Sequence, residues 1–270
     1  MREGSQDFAE PGCNARVNVS SISNRSVAGR LLRLPLALIP GALPVPVLQG
    51  PLRGHWWITG SSNHGCWLGS YEYAKQRLFA RMIRIGDVVF DIGANVGFYT
   101  LLAASRAMPE GMVVAFEPLG QNARFIHRHL RLNNIDRVQV IEAAVGATNG
   151  TVRFKRHASS AMGRVSENGN LVVEQVSLDE LCDARTIPDP TLIKIDVEGG
   201  ELSVLRGAAR MLQRARPSIF LATHGAQIHR DCCDFLRSCG YSLRAIDESI
   251  TSVDTTDEIL ASPRASDVTA

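Results

Sequence analysis

From Val88 onward, short apolar runs alternate with longer segments in which apolar residues recur at three- and four-residue intervals. Val88–Asp91 reads as a short buried strand, Phe98–Met108 as an apolar helix and Val113–Glu117 as a second strand. Gln121–Asn133 is a second helix and Val138–Glu142 a third strand. After an interruption the alternation resumes with strand four at Leu192–Asp196, a helix at Glu201–Gln213 and strand five at Ser218–Thr223. A helix at Asp231–Cys239 and a strand at Ser242–Ile246 close the pattern. Strands separated by helix-length crossovers pair in parallel, so the pattern predicts an α/β class, Rossmann-like fold: a mainly parallel sheet with helices on both faces. In the interruption, strand-like Val152–Phe154 and Leu171–Val176 flank the polar, small-residue stretch Ala158–Asn170, which reads as a hairpin insertion or flap.

Ahead of Val88 the signals differ. Tyr71, Ala74, Leu78 and Met82 have helical spacing, and Gly86-Asp87 then turns the chain into the first strand. Residues 27–70 are irregular, punctuated by Gly and Pro, and carry Trp56, Trp57 and Trp67, aromatics suited to a core or an interface. This organisation predicts a mobile tail at 1–26, an N-terminal cap at 27–85, the main domain at 86–249 and a frayed polar tail at 250–270. Leu31–Leu48 is apolar enough to raise a membrane span, but Arg33 and four prolines (Pro35, Pro40, Pro44, Pro46) would break such a helix. Extended chain packed across the domain surface is expected there. Early acids (Glu3, Asp7, Glu10) and the lack of a basic head before an apolar run speak against a secretory leader.

Composition narrows the picture. The 270 residues are 45% hydrophobic and 21% charged, which suits a globular domain. The 29 basic and 27 acidic side chains leave a formal charge of only +2. A balance that even supplies no field for nucleic acid or an anionic membrane. The six cysteines (Cys13, Cys66, Cys182, Cys232, Cys233, Cys239) form no CxxC pair, so reduced thiols in a cytoplasmic protein are expected.

The most informative segment is Asp91-Ile-Gly93-Ala-Asn95-Val-Gly97-Phe98, which ends a strand and opens a helix. Small residues there let a ligand approach the backbone at the carboxyl edge of the sheet, and Asp91 is expected to place a carboxylate at the rim. Roughly 20 residues on, where this fold puts a ribose-binding acid, Glu117 ends strand two in Phe116-Glu117-Pro118. The spacing Gly93-x-Asn95-x-Gly97 departs from GxGxxG: Asn95 stands where a middle glycine would admit a pyrophosphate, and the third glycine is missing. S-adenosylmethionine has no phosphate and needs no such clearance, so the departure favours a methyl donor over a dinucleotide.

The runs DIGANVGFYT, AFEP, EAAVG (142–146), VSLDEL (176–181) and IKIDVEGGELSVLRGA (193–208) resemble the FkbM-type methyltransferases in order and spacing across about 70–225. The resemblance implies a Rossmann-like methyltransferase fold, S-adenosyl-L-methionine as cofactor and methylation of a hydroxyl on a small-molecule, sugar or natural-product acceptor. It extends the cofactor-binding set (Asp91, Gly93, Asn95, Gly97, Glu117) to Pro118 and Ala144. Family members often carry an acid before the histidine that ends strand five, whereas this chain has Thr223-His224.

A hydroxyl acceptor benefits from a base that removes its proton and from a site that aligns it with the methyl group. Asp196 and Glu198 flank the end of strand four, and His224 ends strand five, so these three are the catalytic candidates. Asp196 can instead serve as a helix cap, and Glu198 and Glu201 as first-turn acids that favour a helix dipole. The carboxylates of Asp196 and Glu198 suit Mg²⁺, but with no third protein ligand evident no metal is expected. The segment His64-Gly65-Cys66-Trp67 with Tyr71-Glu72 is expected to fold over the cofactor mouth, with Glu72 as a polar contact or as plain packing. Two other functions remain open: N-methylation on the same fold, and a non-catalytic adenosyl-binding module acting through interaction.

Overall fold

The computed structural model describes residues 40–156, 163–166 and 168–264. The tail 1–26, the stretch 27–39, Cys13 and residues 265–270 lie outside the described residues. The chain begins with a small hairpin, β1 (Pro44–Pro46) and β2 (Trp56–Ile58), then α1 (Gly65–Leu68) and α2 (Tyr73–Met82). The main body follows as β3 (Val88–Ile92), α3 (Phe98–Ala107), β4 (Met112–Phe116), α4 (Gly120–Leu132) and β5 (Val138–Ile141). Next come β6 (Ala144–Val145), β7 (Gly150–Arg156), β8 (Gly163–Val165), β9 (Leu171–Val176), α5 (Leu178–Asp183) and β10 (Leu192–Ile195). The chain ends with α6 (Glu201–Arg206), α7 (Ala209–Ala215), β11 (Ser218–Ala222), α8 (Ala226–Ser238), β12 (Tyr241–Ala245) and β13 (Glu258–Pro263).

The central sheet has the order β12-β13-β11-β10-β3-β4-β5. Its five strands from β11 to β5 are parallel, and β13 runs antiparallel between β11 and β12. This is an α/β Rossmann-like fold with a mainly parallel sheet. Strand alternation sorts the two faces. Phe90, Ile92, Ile193 and Ile195 turn to the side where Leu205, Met211 and Leu236 of α6–α8 pack, while Val89, Val113, Leu192 and Phe220 turn to α3 and the N-terminal segment.

The N-terminal segment is held to the body by Trp57, whose ring stacks on His129 of α4 with centroids 3.8 Å apart. His129 is fixed on both ring nitrogens: Nε2 accepts from the Ile58 N–H and Nδ1 donates to the Val96 carbonyl. Burial holds this imidazole down to about 4, so it is neutral in the folded protein.

Three expectations need correction. Residues 258–263 do not fray, because the run Ile259-Leu260-Ala261 is buried between two strands that both pair with it. The helix expected over Glu201–Gln213 is split into α6 and α7 at Gly207-Ala208, where a Cβ on Gly207 would collide with the Gly146 backbone. The irregular lead-in contains the β1–β2 hairpin and α1. The stretch predicted as an insertion contributes β8, which extends the small mixed sheet β6-β9-β7-β8, antiparallel except where β6 runs parallel to β9. Among the described residues no helix is long and apolar enough to cross a membrane.

Candidate functional site

In the row β11-β10-β3-β4 all four strands point the same way, so their carboxyl ends form one edge. A cavity of about 290 Å³ opens along that edge. Its walls include Gly93, Asn95, Glu117, Pro118, Ala144, Asp196, Glu198 and His224, eight of the ten residues expected from sequence. The N-terminal segment adds Ser62, Cys66, Tyr71, Glu72 and Lys75, and the small sheet adds Phe154, Gly163 and Val165.

Glu117 sits just past β4 and is almost fully buried, at 5% exposure. Its Oε2 accepts from the Asn95 N–H at 2.9 Å, and its Oε1 accepts from the Leu119 N–H at 2.9 Å and Asn122 Nδ2 at 3.1 Å. Burial outweighs these three donors and pushes the carboxyl up to about 7. A carboxylate fixed this way still has lone pairs to offer to hydroxyl donors. Beside it Asn95, in the left-handed region at φ 52°, has a buried side-chain Oδ1 without a hydrogen-bond partner among the described residues. Ala143, Ala144 and Val145 supply an apolar surface next to these polar groups. A cavity with one buried carboxylate, one orphaned amide oxygen and a small-residue wall fits an adenosyl group.

Asp91 and Gly97 are not part of that wall. Strand alternation turns Asp91 to the face covered by α3, not to the rim. There it is fully buried, accepts from Thr100 Oγ1 at 2.6 Å and lies 3.5 Å from Lys194 Nζ, its register neighbour on β10. The glycines also serve a different purpose from ligand clearance. A Cβ on Gly93 (φ 79°) would collide with the Asp196 carbonyl oxygen, and one on Gly97 (φ 93°) would meet Ile126 at 3.0 Å. Both are demanded by positive φ and protein packing.

Farther along the edge, Asp196, Glu198 and His224 are brought together. His224 Nε2 lies 3.8 Å from Asp196 Oδ1 and 3.5 Å from Glu198 Oε2. All three are half-buried, with side chains 23%, 33% and 35% exposed for Asp196, Glu198 and His224. Glu198 reaches the histidine because the chain reverses after β10, through left-handed Glu198 (φ 59°) and Gly199 (φ 112°). Behind the ring Glu201, at 0% exposure, accepts from His224 Nδ1 at 2.8 Å and from the Gly199 N–H at 2.9 Å. Glu201 is therefore a support for the imidazole and more than a first-turn acid. With Nδ1 donating, Nε2 is the nitrogen turned toward the other two carboxylates.

Charge at this end is uneven. Burial acts to raise the Asp196 carboxyl, but Lys194, Lys75 and His224 together outweigh it and hold it below the ordinary carboxylate range. The Glu201 hydrogen bond, reinforced by the charges of Glu198 and Asp196, outweighs partial burial and raises His224 above the usual imidazole value. Lys194 and Lys75 were not singled out from sequence. Lys194 was detectable as the residue of matching parity on the strand beside Asp91. Lys75 was not: it bridges Glu72 at 3.3 Å and Glu258 of β13 at 2.6 Å, 183 residues away. Glu72 also accepts from Tyr99 Oη at 2.6 Å, so it lines the cavity and ties α2 to α3. Glu258 pairs with Ala222 across β11 and β13 and also lines the cavity. One ligand atom each from Asp196, Glu198 and His224 lies within 4.8 Å of the others, which places His224 where a third donor to the two carboxylates would stand.

A doubly wound sheet with its cavity at the carboxyl edge defines a nucleotide- or adenosyl-binding enzyme fold. Residues 91–243 match the methyltransferase FkbM domain, and the chain belongs to that family of S-adenosylmethionine-dependent methyltransferases. It is similar to the hexuronic acid methyltransferase AglP of Haloferax volcanii, at 32% identity over 51% of this chain and 56% of that protein. It is also similar to methyltransferase 1 of Beauveria bassiana, at 27% identity over 44% of this chain and 57% of that protein. The matches thus span little more than half the length of these curated relatives. The crystal structure of methyltransferase FkbM from Methylobacillus flagellatus KT matches 74% of this chain and 55% of its own, with a TM-score of 0.49 and 19% identity.

Proposed function

We propose that the protein methylates a hydroxyl oxygen on a sugar-like or other small polar acceptor, with S-adenosylmethionine as the donor. The observation that carries this reading is that one cavity joins Glu117 and Asn95 to Asp196, Glu198 and His224. Glu117 lies past β4 and His224 past β11, three strand spacings apart, or roughly 14 Å. Bound in this cavity, the donor supplies an electrophilic methyl group on a sulfonium. Glu117 accepts from ribose hydroxyls and Asn95 offers its free amide oxygen, while Gly93, Pro118 and Ala144 shape the wall.

Asp196, Glu198 and His224 receive the acceptor. Two carboxylates and an imidazole nitrogen facing one cavity can take the hydrogen bonds of a hydroxyl and ease removal of its proton. Tyr71, Glu72 and Lys75 from the N-terminal segment, with Phe154 and Val165 from the small sheet, line the same cavity and limit water. A sugar-like acceptor is favoured by the likeness to a relative named for hexuronic acid and by the polar groups lining the cavity.

The test combines calorimetry with turnover. Donor binding that depends on Glu117, together with methyl transfer to uronic acid glycosides that depends on Asp196 and His224, is the expected result. Donor binding with no transfer to any hydroxyl, carboxyl or amine acceptor would leave a silent adenosyl-binding module. Transfer to amines alone would move the chemistry to nitrogen.

A further inference from the structure

We propose that Asp196, Glu198 and His224 bind one divalent cation of the Mn²⁺ class, whose remaining coordination positions face the cavity. The inference rests on the reading above that this end of the cavity receives the acceptor. The first support is spacing. Donor atoms around one octahedral ion at about 2.1–2.2 Å lie roughly 3.0 Å apart when adjacent and roughly 4.3 Å apart when opposite. His224 Nε2 stands 3.8 Å from Asp196 Oδ1 and 3.5 Å from Glu198 Oε2, and all three ligand atoms lie within 4.8 Å of one another. Small side-chain rotations bring them onto one ion.

The second support is independent of that spacing. Glu201 is fully buried, its Oε1 accepts from His224 Nδ1, and its Oε2 has no hydrogen-bond partner among the described residues. A carboxylate that orients an imidazole from behind, leaving the far nitrogen free, is the usual outer support of a histidine metal ligand. A buried, half-satisfied carboxylate is also costly unless positive charge lies close by. With Asp196 and Glu198 it makes three carboxylates around one imidazole.

Asp196 is prepared for the same role. Its Oδ2 faces Lys194 at 3.6 Å, which turns Oδ1 toward the histidine. One nitrogen and two carboxylate oxygens suit Mn²⁺ and its first-row neighbours better than an all-oxygen magnesium cage. The two carboxylates balance the charge of the ion. The half-exposed side chains leave its other positions open to the cavity, where an acidic or polyhydroxylated sugar oxygen can bind. Without a cation, an acidic acceptor would meet Asp196 and Glu198 as like charges.

Mn²⁺ binding to the full-length, chelator-stripped protein, measured by electron paramagnetic resonance and calorimetry without donor or acceptor, tests the proposal. One Mn²⁺ per chain is expected. His224→Ala and Glu198→Gln should each weaken it at least tenfold, and Glu201→Gln by roughly 10- to 100-fold. Circular dichroism checks that each variant is folded, and Glu198→Gln, at a half-exposed position, serves if His224→Ala is not. Failure of the wild type to bind Mn²⁺, or binding indifferent to Glu198→Gln in a folded variant, overturns the site. S-adenosylmethionine titration of the same samples separates the two readings. Donor binding without Mn²⁺ binding removes the metal alone, whereas loss of both removes the reading of the cavity as well.

Discussion

At Glu117 the carboxylate is held by three donors, two of them backbone N–H groups, whereas at the other end of the cavity Asp196, Glu198 and His224 face one another and are supported by side chains. The Glu117 end is short-range in origin. Asn95, Glu117, Leu119 and Asn122 come from two adjacent strand-to-helix turns, β3–α3 and β4–α4. The His224 end, the proposed acceptor end, gathers residues past β10 and β11, Lys75 from α2 and Glu258 from β13. A site built from backbone geometry is rigid and general, which suits a constant cofactor. One built from side chains on separate elements is free to vary with the acceptor.

Asp196→Asn and His224→Gln press hardest on this contrast. Each should lower kcat by roughly 10²–10⁴-fold, about 3–5 kcal/mol, with donor affinity nearly unchanged. Wild-type turnover in both would strip the acceptor end of its chemical role.

Gly93→Ala attacks the seam between the two ends. Its Cβ would collide with the Asp196 carbonyl at a positive φ, so unfolding free energy should drop by about 2–5 kcal/mol in denaturant titration. A variant that lost donor affinity at wild-type stability would restore the view that this glycine exists for ligand clearance.

His129 tests how far the donor turn depends on the N-terminal segment, because it binds the Val96 carbonyl and stacks on Trp57. Its folded value of about 4 lies below the ordinary 6.5, so the unfolded chain takes up a proton first as the pH falls. Stability should therefore decline between pH 6.5 and about 4, by up to about 3 kcal/mol. In His129→Gln that part of the pH dependence should vanish from thermal melts.

The smallest expected change is in donor affinity. Glu117→Ala should weaken S-adenosylmethionine binding by about 1.5–3 kcal/mol, roughly 10- to 150-fold in Kd. Because burial places the Glu117 carboxyl at about 7, affinity in the wild type should improve as the pH rises through that value and the group ionises. A pH-independent Kd that survives in Glu117→Gln would take the ribose contact away from this residue.

The alternation of strands and helices from Val88 to Glu142, and the place of Glu117 at the end of its strand, were legible in the residues because period and turn chemistry are local. The orientation of Asp91 was also written there, in the parity of Val89-Phe90-Asp91-Ile92, but only the register with Lys194 shows which face that parity points to. Strand β13 was hidden: its apolar core is three residues, Ile259 to Ala261, in polar surroundings, and it becomes a strand only because β11 and β12 both pair with it.

By itself the sequence determined the class of fold, the glycine-bearing turn after β3 and the positions of Asp196 and His224 at strand ends, all consequences of spacing along the chain. The tertiary structure decided that Glu198 turns back to meet His224, that Glu201 supports the ring from behind, and that Lys75 and Lys194 share the cavity with them. Those outcomes depend on which strand lies beside which and on left-handed backbone at Glu198 and Gly199, and long-range pairing of that kind leaves no period in a sequence.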